Sequence, residues 1–273
     1  MLTTVQFGLK MDNFVIMAAM TFTTDWGTRD FGVAAMKGLM ISGLPEIRCI
    51  DISHEVARHN IQQAAYIFGN AYTYFPAGTL HFIGVRGSLS QPSEMLCIKK
   101  DQHLFIGQND GFFSLIFDEP PVDMVSLDLP DGYSGIYDMK AICKAAIHLL
   151  TGNNLYELGD RPEYFIRRSA FLPTTDDELI SGVVIYVDDF GNIVTNITRE
   201  LFEKQRKGRM FEIVARKSQY SVNAISNHYN EVVPGGSLAL FNDAGYLEIA
   251  ICEDSAFRLM NLRLNDIVRI EFR

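Results

Sequence analysis

The sequence predicts an α/β domain with a mostly parallel sheet, followed by an all-β, barrel-like domain. Over the first part of the chain apolar strand-like runs alternate with amphipathic helical stretches, the pattern of βαβ units. Past a proline-containing connection only short runs rich in β-branched and aromatic residues stand out, separated by Gly, Asn and Asp turns. With 273 residues, 48% hydrophobic and 21% charged, the chain can fill one large core or two smaller ones.

The first strand is read at Phe14 to Phe22, followed by a helix from about Asp30 to Ile41 and a strand from Glu46 to Ile52. A second helix from Asn60 to Tyr74 carries the stripe Ala64, Ala65, Phe68, Ala71 and Tyr72, whose helical spacing marks core packing. Thr79 to Val85 is the next strand, and Met95 to Lys100 with His103 to Gly107 reads as a hairpin. A third helix runs from about Asp138 to Thr151 and stops at Gly152. Pro162, Pro173 and the polar run Thr174 to Glu178 mark an inter-domain connection. The expected division is an α/β domain over 1–170, a linker over 171–181 and a β-barrel domain over 182–273. In the latter, strands are read at Val183 to Val187, Met210 to Ala215, Ser237 to Phe241, Tyr246 to Ile251 and Ile267 to Phe272.

A formal net charge of −9, with Lys and Arg never in runs longer than two, repels phosphate backbones and argues against nucleic acid as a partner. Cys49, Cys97, Cys143 and Cys252 form no CxxC or Cys/His cluster, so neither a disulfide framework nor a metal site is expected and a reducing cytoplasm fits. Phe14 to Phe22 is too short to span a bilayer and lacks a basic flank and cleavage site, so neither membrane nor targeting segment is expected.

Two loops can carry chemistry. Thr23-Thr24-Asp25-Trp26-Gly27-Thr28-Arg29-Asp30 lies where the first strand ends, the ligand edge of an open α/β sheet. There Asp25 can accept hydrogen bonds from vicinal sugar hydroxyls; as plain structure, Asp25 forms the turn and Asp30 caps the helix. In the second, Val187-Asp188-Asp189-Phe190-Gly191-Asn192, Asp188 offers a carboxylate for an ammonium and Asn192 an amide for a base edge, or both simply serve a hairpin turn. His54 and His59 could face a ligand or be solvated loop residues, whereas His103 and His148 read as structural.

Together these stretches resemble the S-adenosyl-L-methionine hydroxide adenosyltransferases, adenosine-forming hydrolases, and their fluorinase and chlorinase relatives. The resemblance runs from about Phe14 to Phe272. It rests on Thr24, Asp25, Gly27 and Asp30; Met36-Lys37-Gly38; Asp51-Ile52-Ser53-His54-Glu55; Ala64-Ala65 before Phe75-Pro76-Ala77-Gly78-Thr79; Asp188 with Phe190-Gly191-Asn192; Thr195-Asn196-Ile197; and Gly245-Tyr246-Leu247-Glu248-Ile249-Ala250. It implies a homotrimer with sites where the N-terminal domain of one subunit meets the C-terminal domain of the next. By position Asp25 would hold the ribose hydroxyls, Asp30 and Asp188 the methionine ammonium, and Asn192 the adenine. The reaction implied is displacement at the ribose C5′ with methionine leaving from the sulfonium; S-adenosyl-L-methionine is the substrate and no cofactor is called for.

The chain departs from the family pattern at the chemistry. The hydrolases place an Asp and an Arg in a VDPGVG-like loop and a His in an HGRD-like segment; here Val85, Pro92 and Tyr137 stand at those positions. Asp138 replaces the halide-contacting Ser of the halogenases, and a carboxylate repels a halide, so halogenase activity is not expected. The expected catalytic set is therefore Asp138 as the base with Tyr137 and Ser88 aligning the water; a helix cap is the alternative role for Asp138. Gln108-Asn109-Asp110-Gly111 stands for the family's PDNG-like turn, and Asp243-Ala244 where relatives place groups for the methionine carboxylate. The expected function is hydrolysis of S-adenosyl-L-methionine to adenosine and L-methionine. The alternatives are a non-catalytic adenosine-type binding protein and an enzyme acting on another C5′-activated substrate.

Overall fold

The computed structural model describes residues 18–86, 94–127, 136–169, 172–215 and 220–273, with backbone alone for Ile136 and Tyr137. Its first sheet has six strands: β1 (Ala19–Thr24), β2 (Arg48–Ser53), β3 (Leu80–Gly84), β4 (Met95–Lys100), β5 (His103–Gln108) and β6 (Asp123–Ser126), in the order β2-β1-β3-β5-β4-β6. The β1–β2, β1–β3 and β3–β5 pairings are parallel, while β4 lies antiparallel to both β5 and β6. The sheet is thus mixed: parallel through β2-β1-β3-β5, as expected of most of it, and antiparallel over β4 and β6. The β4–β5 hairpin was legible as such, but β6 escaped notice because four residues are too few to show alternation.

Every residue of β1 is buried, as a central strand covered on both faces requires. Alternation sends Met20 and Phe22 to one face, packed with Met36 and Met40 of α1 (Gly32–Gly43) and Ile142 and Ala146 of α4 (Ile136–Leu150). Ile83, Leu96 and Ile98 face the other way, against Ala64 and Phe68 of α2 (Ile61–Gly69) and Phe113 of α3 (Phe113–Ile116). The expected α2 stops early, at Gly69-Asn70, with a separate 3-10 turn over Tyr72–Tyr74; glycine is a poor helix residue and the chain breaks there.

The second sheet is antiparallel throughout: β7 (Thr174–Thr175), β8 (Leu179–Val187), β9 (Ile193–Thr198), β10 (Phe211–Val214), β11 (Ser237–Phe241), β12 (Tyr246–Ile251) and β13 (Ile267–Phe272). The path β10-β13-β8-β9-β12-β11 curls without a pairing between β10 and β11 among the described residues, so it is a half-barrel and not a closed one. Its core gathers Ile180, Val184, Ile197, Leu247, Ile249 and Ile270. Phe202 of α5 (Arg199–Arg206) plugs this core, and α6 (Ala256–Met260) seals it beside β12. α5 was not expected, because Leu201 and Phe202 are its only apolar residues and show no period; its signals were a Thr198 cap accepting from Leu201 N–H at 3.2 Å and the basic last turn of Lys204 and Arg206.

The two sheets are joined by side chains as well as by the chain. Tyr66 of α2 stacks on Tyr186 of β8 with ring centroids 4.9 Å apart, and Asn242 Nδ2 approaches Tyr66 Oη at 3.3 Å. The Gln108–Gly111 turn anchors the connection: Asn109 accepts Ile166 N–H at 2.9 Å and donates to the Tyr164 carbonyl at 2.9 Å, and Arg168 Nε donates to the Asp110 carbonyl at 2.9 Å. No described helix is long and apolar enough to cross a membrane.

Candidate functional site

The connection from β1 crosses one face of the sheet to β2, and the connection from β2 crosses the other face to β3 on the far side of β1. β1 and β3 stay paired to their ends, Thr24 opposite Gly84, and the connections that leave their carboxyl ends run to opposite sides, which is where open α/β sheets form a ligand crevice. A cavity of about 700 Å³ opens there, lined among others by Asp25, Trp26, Asp30, His59, Gly84 and Asp138. Gly84 is required, since a Cβ there would come within 2.8 Å of the Phe82 ring, 2.9 Å of Thr24 and 3.0 Å of the Trp26 indole. The bare strand end lets the indole lie across the cavity wall, edge-to-face with Phe82 at 5.7 Å.

The loop after β1 is tied to the loop after β2 by Gly27 N–H on the His54 carbonyl at 2.8 Å. Beneath it His54 is buried, with Nδ1 2.8 Å from Thr24 Oγ1 and Nε2 3.0 Å from Asp51 Oδ1. Burial alone would raise the Asp51 carboxyl, but hydrogen bonds from Lys37, at 2.6 Å, and from His54 outweigh it and hold the carboxyl below its usual value. His54 is thus a loop support and does not line the cavity. His59 does line it: Asp25 Oδ2 accepts His59 N–H at 3.0 Å, and His59 Nδ1 lies 2.7 Å from the Arg86 carbonyl. A carbonyl only accepts, so Nδ1 carries hydrogen.

Asp30 is exposed at the cavity rim and accepts Phe31 N–H at 2.6 Å. The helix cap is Phe31, without a side-chain bond, so the capping alternative for Asp30 is corrected: it stands one residue too early. Asp138 is corrected likewise, because α4 begins at Ile136 and places it within the first turn. Its Oδ1 is buried with no hydrogen-bond partner among the described residues, and desolvation raises its carboxyl above the usual value. A buried polar atom without a partner is destabilising and is characteristic of functional sites. Val85 is buried. Ser88 and Pro92 lie outside the described residues, as does the Tyr137 side chain.

Asp188 and Asn192 are elsewhere. They open and close the β8–β9 turn, where Asp188 N–H bonds the Asn192 carbonyl at 3.1 Å and Gly191 N–H bonds the Asp188 carbonyl at 3.0 Å. Asp188 accepts from Asn192 N at 2.7 Å and from its Nδ2 at 3.0 Å. Since a carboxylate offers no donor, the Asn192 amide nitrogen must face Asp188, leaving Oδ1 and a second N–H for other partners. Gly191 packs on the cap of α6, where a Cβ would clash with Ser255 Oγ, and its carbonyl accepts Phe257 N–H at 2.8 Å. Asp188, Asn192, Tyr229, Ser255 and the exposed Phe190 line a second cavity of about 580 Å³.

The expected site residues therefore fall into two groups within one chain. Asp25, Asp30 and Asp138 share the first cavity, Asp188 and Asn192 the second, and no residue lines both. Sequence reasoning passed over Trp26, although it is the one tryptophan and lies inside the motif loop, and over Tyr229, which stands outside every motif.

This fold and these loops define the class. Residues 20–159 match the model of the S-adenosyl-L-methionine hydroxide adenosyltransferase N-terminal domain and residues 182–269 that of its C-terminal domain, so the chain belongs to this family. It is similar to the (R)-S-adenosyl-L-methionine hydrolase of Methanocaldococcus jannaschii, 26% identical, with 93% of this chain and 96% of that protein covered. The enzyme of the same name from Thermus thermophilus is also 26% identical, over 93% of this chain and all 100% of the relative. Among solved structures, an uncharacterized conserved protein from Thermotoga maritima shares the fold with a TM-score of 0.80 at 24% identity, over 92% of this chain and 99% of that one.

Proposed function

We propose that the protein binds S-adenosyl-L-methionine and hydrolyses it to adenosine and L-methionine. The observation that carries this is the first cavity, where Asp25 stands at the carboxyl end of β1 and Asp138, whose buried Oδ1 has no partner among the described residues, is in the same wall. Family membership and relatives named as hydrolases support it.

In this reading Asp25 accepts from the ribose hydroxyls with the oxygen not engaged by His59, while Asp30 and Asp188 receive the ammonium and Asn192 the adenine edge. Asp138 orients a water and takes its proton as the water oxygen bonds to C5′; the C5′–S bond breaks and its electron pair returns to sulfur, which leaves as the neutral thioether of methionine. Tyr137 and Ser88 align that water. The sulfonium is already a good leaving group, so alignment and exclusion of bulk water are the main tasks. No cofactor takes part in this scheme.

The separation of the two cavities supports a shared site: the unit over residues 1–170 supplies Asp25, Asp30 and Asp138, and the unit over 182–273 of the next subunit of a homotrimer supplies Asp188 and Asn192, with 171–181 as the connection. The free thiols fit a reducing, cytoplasmic setting. Val85 in place of the family's acid favours the second reading, a binding protein without turnover. Incubation with S-adenosyl-L-methionine followed by chromatography separates the two: adenosine that grows with time and enzyme concentration supports hydrolysis, and a bound but unchanged ligand supports the binding protein.

A further inference from the structure

β12 contains a charge that packing does not explain. Alternation along it puts Leu247, Ile249 and Ile251 into the main core and turns Glu248 and Ala250 to the opposite face, where Ala250 meets Leu238 and Leu240. Glu248 is only 4% exposed and makes no ion pair among the described residues. Its Oε1 accepts from Tyr229 Oη at 2.7 Å and its Oε2 from Asn242 Nδ2 at 3.3 Å. Asp188 and Asp243 act on it with charge of its own sign. An apolar residue would pack here without the desolvation that a buried carboxylate suffers.

Tyr229 is also in the wall of the second cavity beside Asp188 and Asn192. Its hydroxyl is held from behind by Glu248, so the ring is fixed on the cavity side by a residue that does not line the cavity. We propose that Glu248 is the positioning and charge-selecting residue of this cavity: through Tyr229 it fixes the wall, and with Asp188 it makes the cavity prefer a cationic ligand over a neutral one. This rests on the reading of the site as a receptor for S-adenosyl-L-methionine, whose ammonium and sulfonium are the cations concerned. Burial, ahead of the bonds from Tyr229 and Asn242 and the repulsion from Asp188 and Asp243, holds the Glu248 carboxyl above its usual value. A cation in the cavity stabilises the ionised form and pulls that value down. The groups facing Glu248 are Tyr229 from the 3-10 turn Tyr229–Glu231, Asn242 and Asp243 from the β11–β12 turn, Asp188 from the β8–β9 turn, and Tyr66 of α2 through Asn242.

The test is calorimetric titration of the intact assembly with S-adenosyl-L-methionine and with adenosine, in wild type, Glu248→Gln and Tyr229→Phe. Glu248→Gln is expected to weaken S-adenosyl-L-methionine binding by about tenfold and adenosine binding by less than about twofold. Affinity of wild type for the cationic ligand should rise with pH through the elevated range of Glu248, and the profile should flatten in Glu248→Gln. Tyr229→Phe deletes only a hydroxyl and keeps the test open if Glu248→Gln does not fold; a loss confined to the cationic ligand is expected there too. An equal loss for both ligands, or an unchanged ratio and pH profile, overturns this inference while leaving the ligand assignment intact. Failure of wild type to bind either molecule overturns the ligand assignment and this inference with it.

Discussion

Asp188 accepts the main-chain N–H of Asn192 on one carboxylate oxygen at 2.7 Å and the side-chain amide of the same residue on the other at 3.0 Å. The pair fixes which face the Asn192 amide turns to the cavity before any ligand arrives, so the group proposed to read the base is preorganised by the residue proposed to hold the ammonium. Asp188→Ala should therefore weaken two functions at once. Removing two charge-assisted bonds from a part-buried turn is expected to destabilise the fold by about 1 to 3 kcal/mol, and adenosine, which has no ammonium, should also bind less tightly. Thermal melting and adenosine titration check both; full retention of adenosine affinity would show that Asp188 does not orient Asn192.

Asp25 is held differently, with one oxygen on His59 N–H at 3.0 Å and the rest of the carboxylate facing the cavity. Asp25→Ala should cost roughly 2 to 4 kcal/mol of affinity for an adenosine-type ligand by removing charge-assisted bonds to both ribose hydroxyls. Titration with adenosine and with its 2′-deoxy analogue measures this. Wild type should discriminate between them and Asp25→Ala should not, so equal affinities in wild type would remove Asp25 from the ribose.

The proposed pairing of the two cavities across subunits gives complementation a sharp form. Asp25→Ala and Asn192→Ala proteins, each inactive alone, should regain part of the wild-type activity when unfolded and refolded together, because some junctions in mixed trimers combine an intact Asp25 with an intact Asn192. Light scattering that finds a monomer, or mixtures as inactive as their parents, would contradict a site shared between subunits.

How much of this was legible in the sequence follows from where the information lies. β1 and α2 announced themselves by an apolar run and by periodicity, although β1 spans Ala19–Thr24 where Phe14 to Phe22 was expected, and Asp25 and Asn192 by their places in loop motifs, since these are local patterns. That Glu248 meets Tyr229 was not legible, because the partners join through a sheet face with no local spacing to read. Nor was the antiparallel edge beyond the β4–β5 hairpin, because β6 is only four residues long and pairs with β4. Asp138 was placed at a helix start, but only the fold brings it to the cavity of Asp25.

The sheet also contains a pH-sensitive pair far from this chemistry. His81 is fully buried, with Nδ1 2.7 Å from Thr21 Oγ1 and Nε2 3.1 Å from His103 Nδ1; desolvation first, then the neighbouring His103, depresses it to about 3. A histidine depressed below its ordinary 6.5 stays neutral in the fold while the unfolded chain takes a proton, so its contribution is intact above pH 6.5 and is lost as pH falls towards 3. His81 alone should therefore remove about 2 kcal/mol of stability at pH 5 relative to pH 7.5. Urea unfolding at the two pH values measures the slope, and His81→Gln, which cannot take the proton, should flatten it.

Asp138 offers the most direct test of turnover. The general-base reading requires the ionised carboxylate, so the rate must fall as pH falls through its value, and because desolvation raises that value the acid limb should lie above the usual carboxylate range. Stability runs the opposite way: a carboxyl raised in the fold binds its proton more tightly than in the unfolded chain, so its contribution is lost as pH rises through the elevated value. In the general-base reading activity and stability are thus opposed at this residue, whose Oδ1 is without a partner among the described residues. Asp138→Asn keeps the shape and removes both the proton acceptor and the charge. Adenosine formation should fall by about 100-fold or more, with affinity for S-adenosyl-L-methionine within a few-fold of wild type and a melting temperature unchanged or higher. If instead the residue only supports the first turn of α4, Asn should serve nearly as well and turnover should persist. Undiminished adenosine production by Asp138→Asn, followed by chromatography across the pH range, would remove the base from Asp138.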